Sequence, residues 1–139
     1  MTELLEEAFA AVSQLPETDQ NAIANLILEQ LFERLEYSYE LREKNHVISF
    51  LKNHSFLVLF LLEAPTKIRH HFQEAKLALK VVSDPEIIKS MQLVLLIATK
   101  SLPEEALKKL ESLDKDWWLG VPHQVWNLVL PTLEYNDEF

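Results

Sequence analysis

One glycine, Gly120, occurs in 139 residues, and this scarcity narrows the accessible folds more than any other feature. The chain cannot build a glycine-rich loop around a phosphate, and its helices must end without the left-handed glycine cap. Proline takes over the punctuation. Pro16, Pro65, Pro85 and Pro103 each precede or open an expected helix, where a fixed φ and a missing N–H cost little. Cysteine is absent, so there is no disulfide framework and no thiolate for a metal or a nucleophile, and a reducing compartment is allowed. With 48% apolar and 25% charged residues, a chain of this length is expected to fold around one core.

The net charge of −9 is unevenly spread. Residues 1–43 hold ten acids against Arg34 and Arg42, a balance of −8, while the remaining 96 residues hold twelve acids and eleven bases, a balance of −1. An acidic front third repels phosphate backbones and anionic membranes and favours a basic protein partner. Neither direct nucleic-acid binding nor membrane binding is expected of it. Met1 to Glu7 lack the basic start and apolar stretch of a secretory signal. The longest apolar run, Phe56 to Leu62, is seven residues, against about 20 for a bilayer span.

Helical spacing dominates the front. Leu4, Leu5, Ala8, Phe9 and Val12 predict an amphipathic helix over residues 2–14, with Thr2 as N-cap. Ile23, Ala24, Ile27, Leu28, Leu31 and Leu35 predict a second helix over residues 16–44, where no breaker interrupts. Together they form an acidic arm, residues 1–45. A stripe this long must be covered by the first helix, by the rest of the chain or by a second chain. Ile23, Ile27, Leu28, Leu31 and Leu35, flanked by Glu29, Glu33 and Glu36, are therefore the candidate partner-binding residues.

Residues 46–135 predict an α+β body of order α-β-β-α-β with a small, mainly antiparallel, three-stranded sheet. The leucine-rich stretch from Val47 to Phe72 reads as helix, broken or kinked at Pro65. Residues 76–82 alternate, with Leu77, Leu79 and Val81 on one face and Lys76 and Lys80 on the other. Gln92 to Thr99 reads as a strand covered on both faces. It should pair antiparallel with the first strand through a long connection over residues 83–90, where Ser83-Asp84-Pro85-Glu86 begins a turn. Pro103 opens a helix with stripe Ala106, Leu107, Leu110 and Leu113, ended by Trp117-Trp118-Leu119-Gly120. Val125 to Tyr135 reads as a strand at an edge or bulge, because Pro131 cannot donate to a ladder. Residues 136–139 are expected to be loose.

Markers of chemistry are sparse. The five histidines, at 46, 54, 70, 71 and 123, do not form a His-Glu-x-x-His pattern, and adjacent His70 and His71 point about 100° apart on a helix. Glu104-Glu105 and Asp114/Asp116 have the spacing of solvated helix faces, and no Gly-x-Ser-x-Gly elbow occurs. No catalytic residue, cofactor or metal is expected. Trp117, Trp118 and Trp126 are best read as packing between the last helix and the sheet, with a partner-binding hot spot as the alternative.

Residues 4–31, above all Leu15-Pro16-Glu17-Thr18-Asp19-Gln20 and the stripe ending at Leu31, resemble the N-terminal helical module of small bacterial antitoxins and addiction-module components. Phe50-Leu51-Lys52-Asn53-His54, Ser83-Asp84-Pro85-Glu86 and Pro103 through Leu119 resemble a group of uncharacterised small bacterial proteins. These resemblances imply an α+β body in a bacterial cytoplasm. They also imply an antitoxin-like component masking a basic ribonuclease, although antitoxins of that kind end in a partner-wrapping tail and not in a folded body. The sequence as a whole is read as a non-enzymatic adaptor or regulatory protein whose arm pairs in a homodimer or with a basic partner. An enzyme or small-ligand binder using the sheet face and His54, His70 or His123 is the alternative of a different class.

Overall fold

The computed structural model describes residues 1–83 and 91–135. In chain order its elements are α1 (Glu3–Val12), α2 (Glu17–Ser38), β1 (Glu40–Leu41), α3 (Lys44–Asn53), α4 (Leu57–Arg69), β2 (Lys76–Ser83), β3 (Met91–Thr99), α5 (Pro103–Asp116), a single 3-10 turn (Trp118–Gly120), α6 (His123–Trp126) and β4 (Val129–Tyr135). The α+β class is as expected. The expected turn at 83–86 and the rest of the 83–90 connection fall largely outside the described residues, as do residues 136–139.

The sheet has four strands in the order β1-β2-β3-β4, not three. β2 and β3 pair antiparallel, as the alternation predicts, but β1 lies parallel to β2 and β4 parallel to β3. The mixed pairing follows from the connections, since α3 with α4, and α5 with α6, are helical crossovers long enough to return the chain in its original direction. Two crossover units are thus joined through the β2–β3 pair. The second helix stops at Ser38 and not near residue 44. Glu40 and Leu41 leave it to pair with Ala78 and Leu79, and the ladder is continued by the Arg42 amide, which donates to the Leu79 carbonyl at 3.0 Å. Glu43 then turns the chain into α3 with φ 52°, a left-handed backbone at a residue that is not glycine. Val125 and Trp126, expected to begin the last strand, lie instead in a helical turn over His123–Trp126, and β4 begins at Val129.

Helix was the correct reading for Phe56 to Leu62, which lie at the start of α4 and include fully buried Leu57 and Leu61. Pro65 neither opens nor ends that helix but sits inside it. An interior proline removes the N–H that would bond the carbonyl four residues earlier, here that of Leu61. The Tyr39 hydroxyl, arriving from the end of α2, donates to that carbonyl at 2.7 Å. Burial accordingly pushes the Tyr39 pKa well above the ordinary phenol range.

Leu77 and Leu79 of β2, Leu93, Leu95 and Ile97 of β3, and Val129 of β4 share one face with buried residues of α2 to α5. β3, expected to be covered on both sides, leaves Gln92, Val94 and Leu96 half-buried on the other. On that second face Arg42 donates two hydrogen bonds to Glu134, each 2.9 Å, linking the β1 edge to β4. Ala78 and Ala98, small residues in the strands between them, are only 4% and 7% exposed. The bond from Arg42 holds the Glu134 carboxyl below the usual carboxylate range, against a smaller opposing effect of burial.

The edge position expected of Pro131 is found. The Leu93 amide donates to the Leu128 carbonyl at 2.7 Å, and in a parallel ladder that phase turns the even residues of β4 toward β3 and the odd ones outward. Pro131 therefore faces away from the sheet, where its missing N–H breaks no bond and blunts the open edge. No single helix among the described residues is long and apolar enough to cross a membrane; α3 and α4 pass such a test only together, across a 119° bend.

Candidate interaction surface

The first helix is built from local signals alone. Thr2 Oγ1 accepts a hydrogen bond from the Leu5 amide at 3.2 Å, the cap expected from sequence, and Glu3 and Glu6 lie in the first turn, where negative charge suits the helix dipole. At the other end no glycine is available. Gln20, one turn into α2, instead donates from Nε2 to the Ser13 carbonyl at 3.3 Å and the Leu15 carbonyl at 2.9 Å. That side chain satisfies carbonyls at the end of α1 and links the two helices across the turn at Pro16.

None of the residues of α1 is buried. Leu4 is 78% and Phe9 50% exposed, and Leu5 and Leu15 are also open; on α2, Leu26 is 62% exposed and Ile27 is open as well. Val12, Gln20 and Ile23, close to the turn, are half-buried. From residue 1 to residue 33 the hairpin carries Glu3, Glu6, Glu7, Glu17, Asp19, Glu29 and Glu33 and not one lysine, arginine or histidine. α1 and the first half of α2 therefore expose apolar side chains and carboxylates together. A compact chain of 16.2 kDa exposes about 7,500 Å² by the usual scaling, whereas this one exposes 9521 Å², in keeping with a hairpin that stands off the body.

The stripe expected on α2 divides along its length. Leu35, expected to meet a partner, is instead a core residue with no exposure, and Leu28 and Leu31 are half-buried against the core together with buried Phe32. The cause is geometric: 22 residues make a helix about 33 Å long, and only its C-terminal half packs against α4. Ile23 and Ile27 lie on the free half. Glu29 and Glu33 are exposed, while Glu36, at the body end, forms an ion pair with Lys44. Leu4, Leu5, Phe9 and Leu26 were not singled out from sequence as partner-binding residues. The signal of Leu4, Leu5 and Phe9 was present in the stripe of α1, which reads equally well as a cover for α2, whereas Leu26 lies off the stripe of its own helix.

The histidines are dispersed in their contacts. His54 lies half-buried with Nδ1 3.0 Å from the Phe50 carbonyl, His70 is exposed at the end of α4, His71 approaches Asp116 at 2.8 Å, and exposed His123 sits edge-on to Trp126. Among the described residues no three His, Asp or Glu side chains are grouped to hold a metal ion. Trp117 and Trp118 lie half-buried against the core, but Trp117 stacks on Phe60 of α4, with centroids 5.2 Å apart, and not on the sheet as expected.

No protein-family model, curated protein or solved structure matches the chain. The likeness of residues 4–31 to antitoxin modules thus rests on those residues alone.

Proposed function

We propose that the chain is a protein-binding module whose α1–α2 hairpin receives a basic, amphipathic segment of another protein. One observation carries the reading: Leu4, Phe9 and Leu26 lie exposed on two successive helices with seven acids and no basic side chain through residue 33. Apolar burial would supply most of the affinity, and the flanking carboxylates would select sign and speed encounter. A second copy fits this strip less well than a basic partner, because two hairpins would bring fourteen acids together with no counter-charge. β4 offers strand addition a poor edge, since Pro131 interrupts it.

The test uses the full chain and two synthetic helices with leucine at i, i+3, i+4 and i+7, one with lysine and one with glutamate at the remaining positions. The lysine helix should bind and the glutamate helix should not. Phe9→Asp removes apolar surface but adds negative charge, so weaker binding of the lysine helix supports a docking strip, while tighter binding reduces the effect to bulk charge and ends the reading. Light scattering that finds a dimer dispersed by Phe9→Asp would assign the strip to a second copy.

A further inference from the structure

A recessed surface elsewhere in the fold shares no lining residue with α1 or α2. A cleft of about 290 Å³ opens between α5 and the β4 edge, lined by Leu110, Asp114, Trp118, Trp126 and residues 129–131. Its walls are two indoles and aliphatic side chains, and its one ionisable group is a carboxylate. The indoles are fixed. Trp118 and Trp126 lie 6.3 Å apart with planes 27° from parallel, and Trp126 Nε1 donates to the Trp118 carbonyl at 2.8 Å. The Trp126 N–H is thereby satisfied within the fold, and both indoles line the cleft with ring surface.

Asp114 is half-buried among these groups, and among the described residues it makes no hydrogen bond or ion pair. The charges that reach it are of its own sign: burial and the neighbouring Glu111 carboxylate both raise its pKa above the ordinary aspartate range. An ionised carboxylate held against apolar surface without a counter-charge is costly. A cation arriving in the cleft would remove that cost, and an indole face attracts the same cation through its quadrupole. Pro131 adds a backbone carbonyl to the open edge of β4 and no N–H, so that position has an acceptor and no donor. An anion would meet Asp114 and the neighbouring Glu111, and among the described residues the lining of the cleft holds no positive group.

We infer that this cleft binds an organic monocation with an apolar stem, an alkylammonium or guanidinium group whose charge pairs with Asp114 and whose stem lies against Trp118 and Trp126. At about 290 Å³ the cleft suits one side chain or a small amine. The source is either a free amine or a lysine or arginine side chain of a bound protein. This inference does not depend on the hairpin, and the two fail independently.

The experiment follows the indole N–H signals of Trp118 and Trp126 by NMR in the full-length protein during titration with butylammonium, with the neutral isostere butanol, and with N-acetyl-lysine methylamide. Saturable shifts with the cations and none with butanol are expected. Asp114→Asn, a change on a partly exposed helix face that should leave the fold intact, is expected to weaken cation binding roughly tenfold or more, the size of a charge-assisted contact. Tighter binding of the lysine diamide assigns the site to a protein side chain, and tighter binding of butylammonium assigns it to a free amine. Equal shifts with butanol, no saturable shift with any cation, or unchanged cation affinity in Asp114→Asn would each overturn the inference. If Asp114→Asn failed to fold, Leu130→Lys, which places a tethered ammonium at the exposed rim, should abolish cation binding, and undiminished binding would overturn the inference as well.

Discussion

α1 and α4 make an instructive pair because their compositions do not explain their fates. α1 is by composition at least as apolar as α4, yet it buries no residue, whereas α4 buries Leu57, Val58, Leu61, Ala64, Pro65 and Ile68. α4 has α2 packed against it and shares the core with the sheet; α1 contributes no residue to that core. Apolar content sets how much a helix gains from being covered, and topology decides whether a cover exists within the chain. α1 and the first half of α2 therefore retain a capacity for burial that the rest of the fold has already used. This is the physical content of the proposed docking strip.

The sharpest way to break the comparison is to make the same truncation at both ends of α2. Leu35→Ala should cost about 2–5 kcal/mol, because it opens a cavity in a closed core. Leu26→Ala, on the projecting half, should change stability by no more than about 0.5 kcal/mol. Urea unfolding of the two variants checks both, and equal losses would mean that the hairpin is packed as tightly as the body.

The junction between the two regions gives the next largest effect. Tyr39→Phe should leave the Leu61 carbonyl without its donor, at a cost of about 1–3 kcal/mol. In a Pro65→Ala background residue 65 regains an N–H for that carbonyl, so the same substitution should cost less, with a coupling of about 1 kcal/mol. A double-mutant cycle by chemical denaturation measures it. A coupling near zero would show that Tyr39 does not substitute for the missing helical bond.

How far the sequence could lead to this structure depended on whether the signal was periodic or positional. Periodic signals carried through: Thr2 and Leu4 to Val12 made a capped helix, Leu77 and Leu79 took the core face while Lys76 and Lys80 took the other, and the two long strands paired antiparallel. β1 escaped because two residues, Glu40 and Leu41, are too few to show any period, and no proline or glycine interrupts the helix pattern before them. Missing β1 hid one parallel pairing, and reading residues 125–135 as a single strand masked the turn that sets the direction of β4. Pro65 misled for a tertiary reason, since only the arrival of Tyr39 makes an interior proline affordable. The docking surface was half legible. A stripe of six apolar positions on α2 shows that a cover is needed, but which half the body supplies depends on where α4 lies, and that is fixed by contacts remote in sequence.

The smallest predicted effect concerns the strap that joins β1 to β4 across the second sheet face, and it sharpens the comparison by asking whether the body's stability is also polar. Glu134 is about one-third exposed in its side chain, so its pair with Arg42 should contribute no more than about 1 kcal/mol. The sign with pH follows from the carboxyl being held below its ordinary value by Arg42. Such a group stabilises the fold fully at pH above its unfolded pKa of about 4.3, and that contribution is lost as the pH falls through the lower folded value. Wild type should therefore exceed Glu134→Gln in stability at pH 7 by a small margin that shrinks progressively below about pH 4. Parallel urea titrations from pH 3 to 7 test this, and a margin that grows on acidification would mean that Glu134 is better accommodated protonated, with Arg42 paired elsewhere.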